Sequence, residues 1–431
     1  MSHYLFATLP LAGHTLPALP IAAELIRRGH SIRWYTGAAF ADRIVAVGAT
    51  HHPMSAYDFS ENDLDTFFPE RLQHSGIGRL KFDLVAGFAR PIATHLADLT
   101  SLLDQQPADV LVGDTGLLAG PILSDLGGPP LAVLAISVLN LPGNDHAPLG
   151  LGLPPTSTRW GRLRNRLLHK TMGSLLFKPM YDEINRIRQE HGLGDVTVAP
   201  GYLPDADLIL QLSTPGSEYP VDDLPANVHH IGPPRPLPGA WEPPAWWSEL
   251  TSSTRPVVLV TQGTLTTDHR ELLRPTLDGL ADENVLVVAV TGGPDPADVG
   301  EVPANARVAR FLPFDQVLPL VDAYVTNGGF GGVQLALSHG VPIVAAGKTE
   351  DKADVAARVS YTGVGLNLKT QKPSARQVRS AVTTLLTEDR YRIAARNVQV
   401  EIEAAGREKR GADLLSQLAG RPAASLADTY S

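Results

Sequence analysis

Along the chain, short continuous apolar runs alternate with longer segments whose apolar residues recur at helical spacing. The run Tyr4–Leu9 is followed by Pro17–Arg28, where Leu19, Ala22, Ala23 and Ile26 fall on one helix face. Gly29 can close that helix, and Ser31–Tyr35 supplies the next strand. The alternation continues with a helix over Ala39–Val47, strands near Ala49–Pro53 and Asp109–Asp114, a helix over Leu117–Leu126 and a strand at Leu131–Ile136. Asp207–Leu212 is expected to be the last strand of this half. A second half repeats the rhythm, with strands at Val257–Thr261, Val285–Val290, Val308–Phe311, Ala323–Val325, Ile343–Ala346 and Gly365–Leu368, and helices to about Leu418. Strands separated by helices predict parallel, doubly wound α/β sheets.

Three stretches break this pattern. Residues 55–105 scatter aromatics among acidic residues and glycines. Residues 140–180 begin rich in Pro and Gly and then turn basic from Arg159 to Lys170, a run that can mark a membrane or nucleic-acid surface but, in an acidic chain, is read as a solvated helix face. Prolines and tryptophans concentrate in 233–255, the composition of a semi-rigid connector. These breaks divide the chain into a domain at 1–232, the linker, a second domain at 256–400, a helix at 401–418 that can pack back on the first domain, and a tail at 419–431. The length of 431 residues and 43% hydrophobic content suit two sizeable cores. A net charge of −9 argues against a nucleic-acid partner, and the absence of cysteine removes disulfide and thiolate-metal chemistry. No leader pattern precedes the first strand and no run of about 18 apolar residues occurs. The expectation is a cytoplasmic protein without stable membrane insertion.

Candidate chemistry sits where such sheets bind ligands, just past the carboxyl ends of strands. Asn327 and a turn with Gly328, Gly329, Gly331 and Gly332 follow one strand, and a helix is expected over Val333–His339. Free amides at a helix start, with no side chain in the way, suit a phosphate or diphosphate; an unoccupied tight turn would read the same way. Gly13-His14 follows the first strand, and Asp114 ends another strand of the same sheet. The two can form a histidine base oriented by a carboxylate, or Asp114 can simply cap the helix that begins near Leu117. Asp63-Leu64-Asp65 and Asp205-Ala206-Asp207 match a metal-binding Asp-x-Asp only formally. The adjacent pairs His51-His52 and His229-His230 diverge in extended chain, so no metal site is expected.

With those pieces in order, the chain resembles the bacterial natural-product branch of the UDP-glycosyltransferase superfamily, over about Leu5 to Gly420. The resemblance rests on Gly13-His14, Asp114, the loop Thr261-Gln262-Gly263-Thr264, Phe311-Leu312-Pro313-Phe314, the glycine turn, Gly340-Val341-Pro342 and Glu350-Asp351-Lys352. It implies a GT-B fold, two Rossmann-like domains facing each other across a cleft. It implies His14 as the base for an acceptor hydroxyl, supported by Asp114. Phe311 would stack on the nucleotide base and the Leu312 backbone would bond its edge. Gly263, Thr264 and the amides of Gly328, Gly329, Phe330, Gly331, Gly332 and Val333 would hold the diphosphate. Glu350, Asp351 and Lys352 would meet the sugar. Tyr57, Phe59, Phe82 and Phe88, together with 137–180, would line the acceptor pocket.

The sequence departs from the family where the donor binds. Asn327 stands where a histidine is usual, Leu335 where a glutamate grips the ribose, Lys352 where a glutamine meets the sugar, and Phe314 where a glutamine follows the proline. Gln334 can substitute at the ribose, or the donor can lack a 2′-hydroxyl; Lys352 can restore the charge absent at Asn327. The function this implies is inverting transfer of a sugar from a UDP- or dTDP-linked donor to a hydroxyl of a small phenolic, flavonoid or polyketide-like molecule. No cofactor beyond that co-substrate is implied. The alternatives are a sugar-nucleotide 2-epimerase of the same fold and a catalytically silent auxiliary protein.

Overall fold

The computed structural model describes residues 1–60, 64–141, 143, 145–196, 206–263 and 268–420. Thr264, Asp63, Asp205 and most of the 419–431 tail therefore lie outside the described residues. The first domain holds seven parallel strands: β1 (His3–Ala7), β2 (Ser31–Thr36), β3 (Thr50–Pro53), β4 (Val110–Asp114), β5 (Leu131–Ala135), β6 (Leu208–Gln211) and β7 (Val228–His230). Their spatial order is β3-β2-β1-β4-β5-β6-β7. The second domain holds β8 (Val257–Thr261), β9 (Leu286–Val290), β10 (Ala306–Ala309), β11 (Ala323–Thr326), β12 (Ile343–Ala345) and β13 (Gly365–Asn367), in the order β10-β9-β8-β11-β12-β13. Both are doubly wound sheets of the GT-B type.

Period-two alternation explains why the strands read as continuous apolar runs. Tyr4 and Phe6 enter the core on one face of the first sheet, while Leu5 and Ala7 enter the core on the other. Val257 and Leu259 are divided from Val258 and Val260 in the same way in the second sheet. Both faces of each sheet are covered by helices, so no polar face is left to break the runs.

Three expectations change. β7 follows β6, so Asp207–Leu212 is not the last strand of its half; Val-His-His is too short and too polar to stand out. Residues 64–105 fold as successive helical segments rather than irregular chain, ending in the helix Ile92–Gln105. The helix after β11 begins at Phe330 instead of Val333, because the glycines themselves form its first turn.

The helix Arg407–Ala419, after Asp389–Ala404, packs on the helix Leu19–Arg27 of the first domain. Arg28 reaches Asp413 at 2.6 Å and Arg235 reaches Glu408 at 2.8 Å. At Gly411 an added Cβ would meet both Ile21 and Ile231 at 3.3 Å, so a small residue allows the close approach. One apolar core consequently runs unbroken from the first sheet through this helix into the second domain.

Leu415 is fully buried in that shared core. Leu415→Ala should therefore destabilise by about 2–5 kcal/mol. In calorimetry it should lower the unfolding transition of the first domain as well as the second, whereas a helix that served only the second domain would leave the first transition in place.

Candidate functional site

The short segment Leu9–Thr15 leaves β1 and turns at once into a helical turn, Ala12–Thr15, that carries His14. It is pinned from beneath: Thr15 Oγ1 donates to the Leu9 carbonyl at 2.9 Å, lies 3.0 Å from Thr8 Oγ1, and Trp34 Nε1 donates to Thr8 at 3.0 Å. His14 is thus presented from a fixed base. Its Nδ1 lies 2.8 Å from Asp114 Oδ1, at the carboxyl end of β4.

Asp114 is buried and accepts two further hydrogen bonds, from the Leu9 amide at 2.8 Å and the Gly116 amide at 2.6 Å. Burial pushes its pKa up, but His14 and the two amides outweigh that, so the carboxyl sits below its ordinary value and is ionised at neutral pH. An ionised carboxylate only accepts, so Nδ1 of His14 must carry the proton and Nε2 is left as the basic nitrogen. Of the two contacts open to Asp114, the structure shows the one to the imidazole. Its remaining acceptor capacity closes the turn at Gly116 and ties down Leu9. An added Cβ at Gly116 would fall 2.5 Å from Leu9, 2.9 Å from Asp114 Oδ1 and 3.0 Å from His14. The pair leaves no room for a side chain there.

Of the expected acceptor aromatics, Phe88 faces His14 with ring centres 6.4 Å apart. Tyr57 stands edge-on to His95, whose burial pulls its pKa down to about 4 and keeps it neutral. Phe59 is a correction. Only 4% exposed, it is the centre of a satellite cluster with Phe68 and Ala86 and serves packing rather than a pocket wall. Phe82 borders the same cluster and stacks on His74 at 5.1 Å.

In the second domain, β11 delivers Thr326 and Asn327 into the glycine turn. Gly328 takes the left-handed φ of +85° that the turn requires, and its amide donates to Thr326 at 3.2 Å. The Val333 amide donates to Gly329 at 3.1 Å. These two amides are committed internally, so the anion-binding capacity of the turn narrows to the N-cap Gly329 and the first helical turn, Phe330, Gly331 and Gly332, whose N–H groups precede any intrahelical acceptor. Phe311 is 67% exposed, as a stacking platform needs, while Leu312 beside it is buried. Phe314 packs edge-on to Tyr324 at 6.0 Å, beneath Gly332.

The departures from the family resolve into specific contacts. Asn327 is buried and its amide donates to the Gln262 carbonyl, joining the ends of β8 and β11 just before Gly263. Gln334 is also a correction. It is buried against the first domain, 3.3 Å from Ser217 Oγ, so its hydrogen bond serves the domain interface and not a ribose. Lys352 is buried, pairs with the exposed carboxylate of Glu350, and lines a small cleft with Gln262, Asn327, Gly347 and Thr349. Lys352 and Asn327 therefore line one cleft, with the ammonium held by Glu350. Glu350 itself adopts a φ of +56°, a conformation rare for a residue with a Cβ.

The two carboxyl edges meet through contacts that residue patterns did not reveal. Ser137, just past β5, donates to Asp351 at 2.5 Å. The Gly150 and Gly152 amides donate to Asp354 at 2.5 and 3.3 Å. Arg358 inserts between domains, donating to Glu218 at 2.5 Å and to the Leu139 carbonyl at 2.8 Å, with its guanidinium 4.1 Å from the Tyr219 ring centre. Glu218 in turn accepts from the Leu139 amide and Ser213. A buried ion pair is worth keeping only when both members are satisfied in this way, and it then fixes register more than it adds stability. The available signal was the spacing of Asp351, Asp354 and Arg358, which puts three charges along one side of an otherwise apolar helix, Lys352–Tyr361 with its cap.

Comparison with known proteins places the chain. Residues 274–410 match the erythromycin biosynthesis protein CIII-like C-terminal domain. The 4'-demethylrebeccamycin synthase of Lentzea aerocolonigenes is 42% identical over 96% of this chain and 99% of its own length. UDP-glycosyltransferase 2 of Phaeomoniella chlamydospora is 31% identical, covering 97% of this chain and 96% of its own. Among solved structures, the calicheamicin glycosyltransferase CalG4 superposes with a TM-score of 0.77 at 24% identity, covering 98% of this chain and 99% of its own, and shares the fold.

Two outcomes follow from this geometry. Gly116→Ala should displace the imidazole from Asp114 and lower turnover at least tenfold in steady-state assays while leaving the melting temperature within a few degrees. Asp354 gives a pH signature. Burial raises its pKa to about 6 against the amides of Gly150 and Gly152 and the charge of Arg358. A raised carboxyl favours the folded state at low pH, and that contribution is lost as pH rises from about 4 through about 6. Wild type should therefore lose on the order of 2–3 kcal/mol across that window relative to Asp354→Asn; parallel stability–pH curves for the two proteins would contradict this.

Proposed function

The chain belongs to the natural-product branch of the UDP-glycosyltransferase superfamily and is a glycosyltransferase; from that premise we propose that it inverts the anomeric centre of a UDP- or dTDP-linked sugar while transferring it to a hydroxyl of a small phenolic, flavonoid or polyketide-like acceptor. The observation that carries the mechanism is the 2.8 Å contact between His14 and ionised Asp114. His14 Nε2 takes the acceptor proton as that oxygen attacks the anomeric carbon. The bond from that carbon to the diphosphate oxygen breaks in line, and the nucleoside diphosphate leaves.

Charge grows on the leaving diphosphate, and preorganised donors are the effective way to stabilise it. The amides of Phe330, Gly331 and Gly332 supply such donors, with Lys352 as the cation in place of the missing histidine at 327. That combination supports metal-independent transfer. Asp351 and Glu350 remain the candidates for sugar hydroxyls, and Phe311 for the base. A ribose grip is absent at Leu335 and Gln334 is engaged elsewhere, which favours a donor whose nucleotide lacks the 2′-hydroxyl. The epimerase alternative has no use for a histidine base on the acceptor side. A silent auxiliary protein would have no reason to keep the dyad's three-point support of Asp114.

A mass-spectrometric screen of UDP- and dTDP-sugars against phenols and polyketides tests this reading directly. His14→Ala should lose about 10²–10⁴-fold in turnover while nucleoside diphosphate binding by calorimetry persists; full retained activity would exclude the base. Lys352→Gln should weaken donor affinity or change donor choice and leave the acceptor KM alone. Kinetics that shift only for the acceptor would remove Lys352 from the donor site. Chelation with EDTA should leave the rate unchanged.

A further inference from the structure

The helix Arg159–Met172 lies on the outside of the first domain, and transfer chemistry assigns no task to its outer face. Its inner face is fixed. Asn165 is buried, and His169 Nε2 lies 3.0 Å from the His146 carbonyl. Its outer face bears large apolar side chains. Trp160 is 81% exposed, Leu163 41% and Leu167 58%, at the i, i+3, i+7 spacing of one helical stripe. Leu175, 61% exposed, follows in the next helical turns. Burying a side chain of this size is worth roughly 1.5–3 kcal/mol, so four of them left in water on one element are unusual for a surface with no partner.

The flanks of the stripe are cationic. Arg159, Arg166 and Lys170 lie along one side and Arg164 along the other, all exposed. No acidic residue occurs between 159 and 172. Among the described residues, Arg162 pairs with Asp145, but Arg159, Arg166 and Lys170 have no ion pair. This occurs in a chain whose net charge is −9, so the positive charge is concentrated locally and is not a property of the whole surface.

We propose that this helix is a peripheral docking surface for anionic lipid bilayers, lying in the interface with Trp160, Leu163 and Leu167 among the headgroups and the flanking arginines and lysine on lipid phosphates. The argument is charge complementarity combined with shape. A convex helix with Trp and Leu on one side and Lys/Arg at the margins is the pattern that lies in a membrane interface. A second copy of the chain is a poor occupant, because a symmetric contact would set like charges against each other. The binding is superficial: no helix among the described residues is long and apolar enough to cross a membrane. Docking there would bring the acceptor domain to a layer where apolar acceptors concentrate.

The test is co-sedimentation of the full chain with vesicles of phosphatidylcholine alone or mixed with phosphatidylglycerol, over a range of sodium chloride. The expected result is binding to the anionic vesicles that weakens as salt rises, with little binding to phosphatidylcholine. Replacing Arg159, Arg166 and Lys170 by Gln should weaken binding by about fivefold per residue. Trp160→Ala with Leu167→Ala should weaken it independently of salt. Arg376→Gln, an exposed cation on the second domain, should change nothing. Circular dichroism checks that each variant is folded. Absence of binding to anionic vesicles overturns the proposal. So does binding that ignores lipid charge or survives loss of the stripe, and so does a stripe that leaves vesicles untouched and instead holds an acidic protein.

Discussion

A single buried carboxylate organises the carboxyl edge of the first sheet. Asp114 carries its charge at the end of β4 with no water to solvate it, and three donors replace that water: the Leu9 amide, the Gly116 amide and the His14 imidazole. Each donor belongs to a different feature of the fold, namely the end of β1, the turn after β4 and the first helical turn. The charge therefore does two things together. It draws those three features into one arrangement, and it settles which imidazole nitrogen carries the proton. Removing one member of such a set leaves the others desolvated without compensation, and the three donors crowd the carboxylate so closely that no Cβ fits at 116.

The carboxyl edge of the second sheet is organised by backbone more than by side chains. The glycine turn commits the Gly328 and Val333 amides to its own geometry and leaves those of Gly329, Phe330, Gly331 and Gly332 at a helix start. Asn327 ties β8 to β11 through the Gln262 carbonyl, and Lys352, paired with Glu350, lines the same small cleft. The clasp formed by Asp351, Asp354 and Arg358 against Ser137, Gly150, Gly152 and Glu218 joins the two halves. Its polar groups are buried and bonded across the interface, so it acts as a register pin between the two domains.

Much of this was legible in the residues, for identifiable reasons. The strands announce themselves because both faces of each sheet are covered, so Val257–Thr261 or Val110–Val112 read as unbroken apolar runs. His14 and Asp114 could be paired because both follow strands expected in one parallel sheet. What stayed hidden depends on distant partners. β7 is three residues long and takes its strand character from pairing with β6. Phe59 and Phe88 are alike in sequence, yet one fills a satellite core and the other faces His14, a distinction made by tertiary packing alone. Gln334 was expected at a ribose because its neighbour Leu335 could not bond one, but helix geometry turns it toward Ser217. The clasp was invisible because its hydrogen-bond partners lie between 140 and 219 positions away along the chain, and only the helical spacing of three charges, Asp351, Asp354 and Arg358, hinted at it.

The claim on which the account stands is a single displacement, in which an acceptor oxygen deprotonated by His14 attacks opposite a diphosphate held by the glycine turn. The stereochemistry of the product tests it most directly. With an α-linked nucleotide sugar as donor, proton NMR of the isolated glycoside should show the anomeric coupling of a β linkage. An α-linked product would mean retention, and would contradict the single displacement together with the role given to His14.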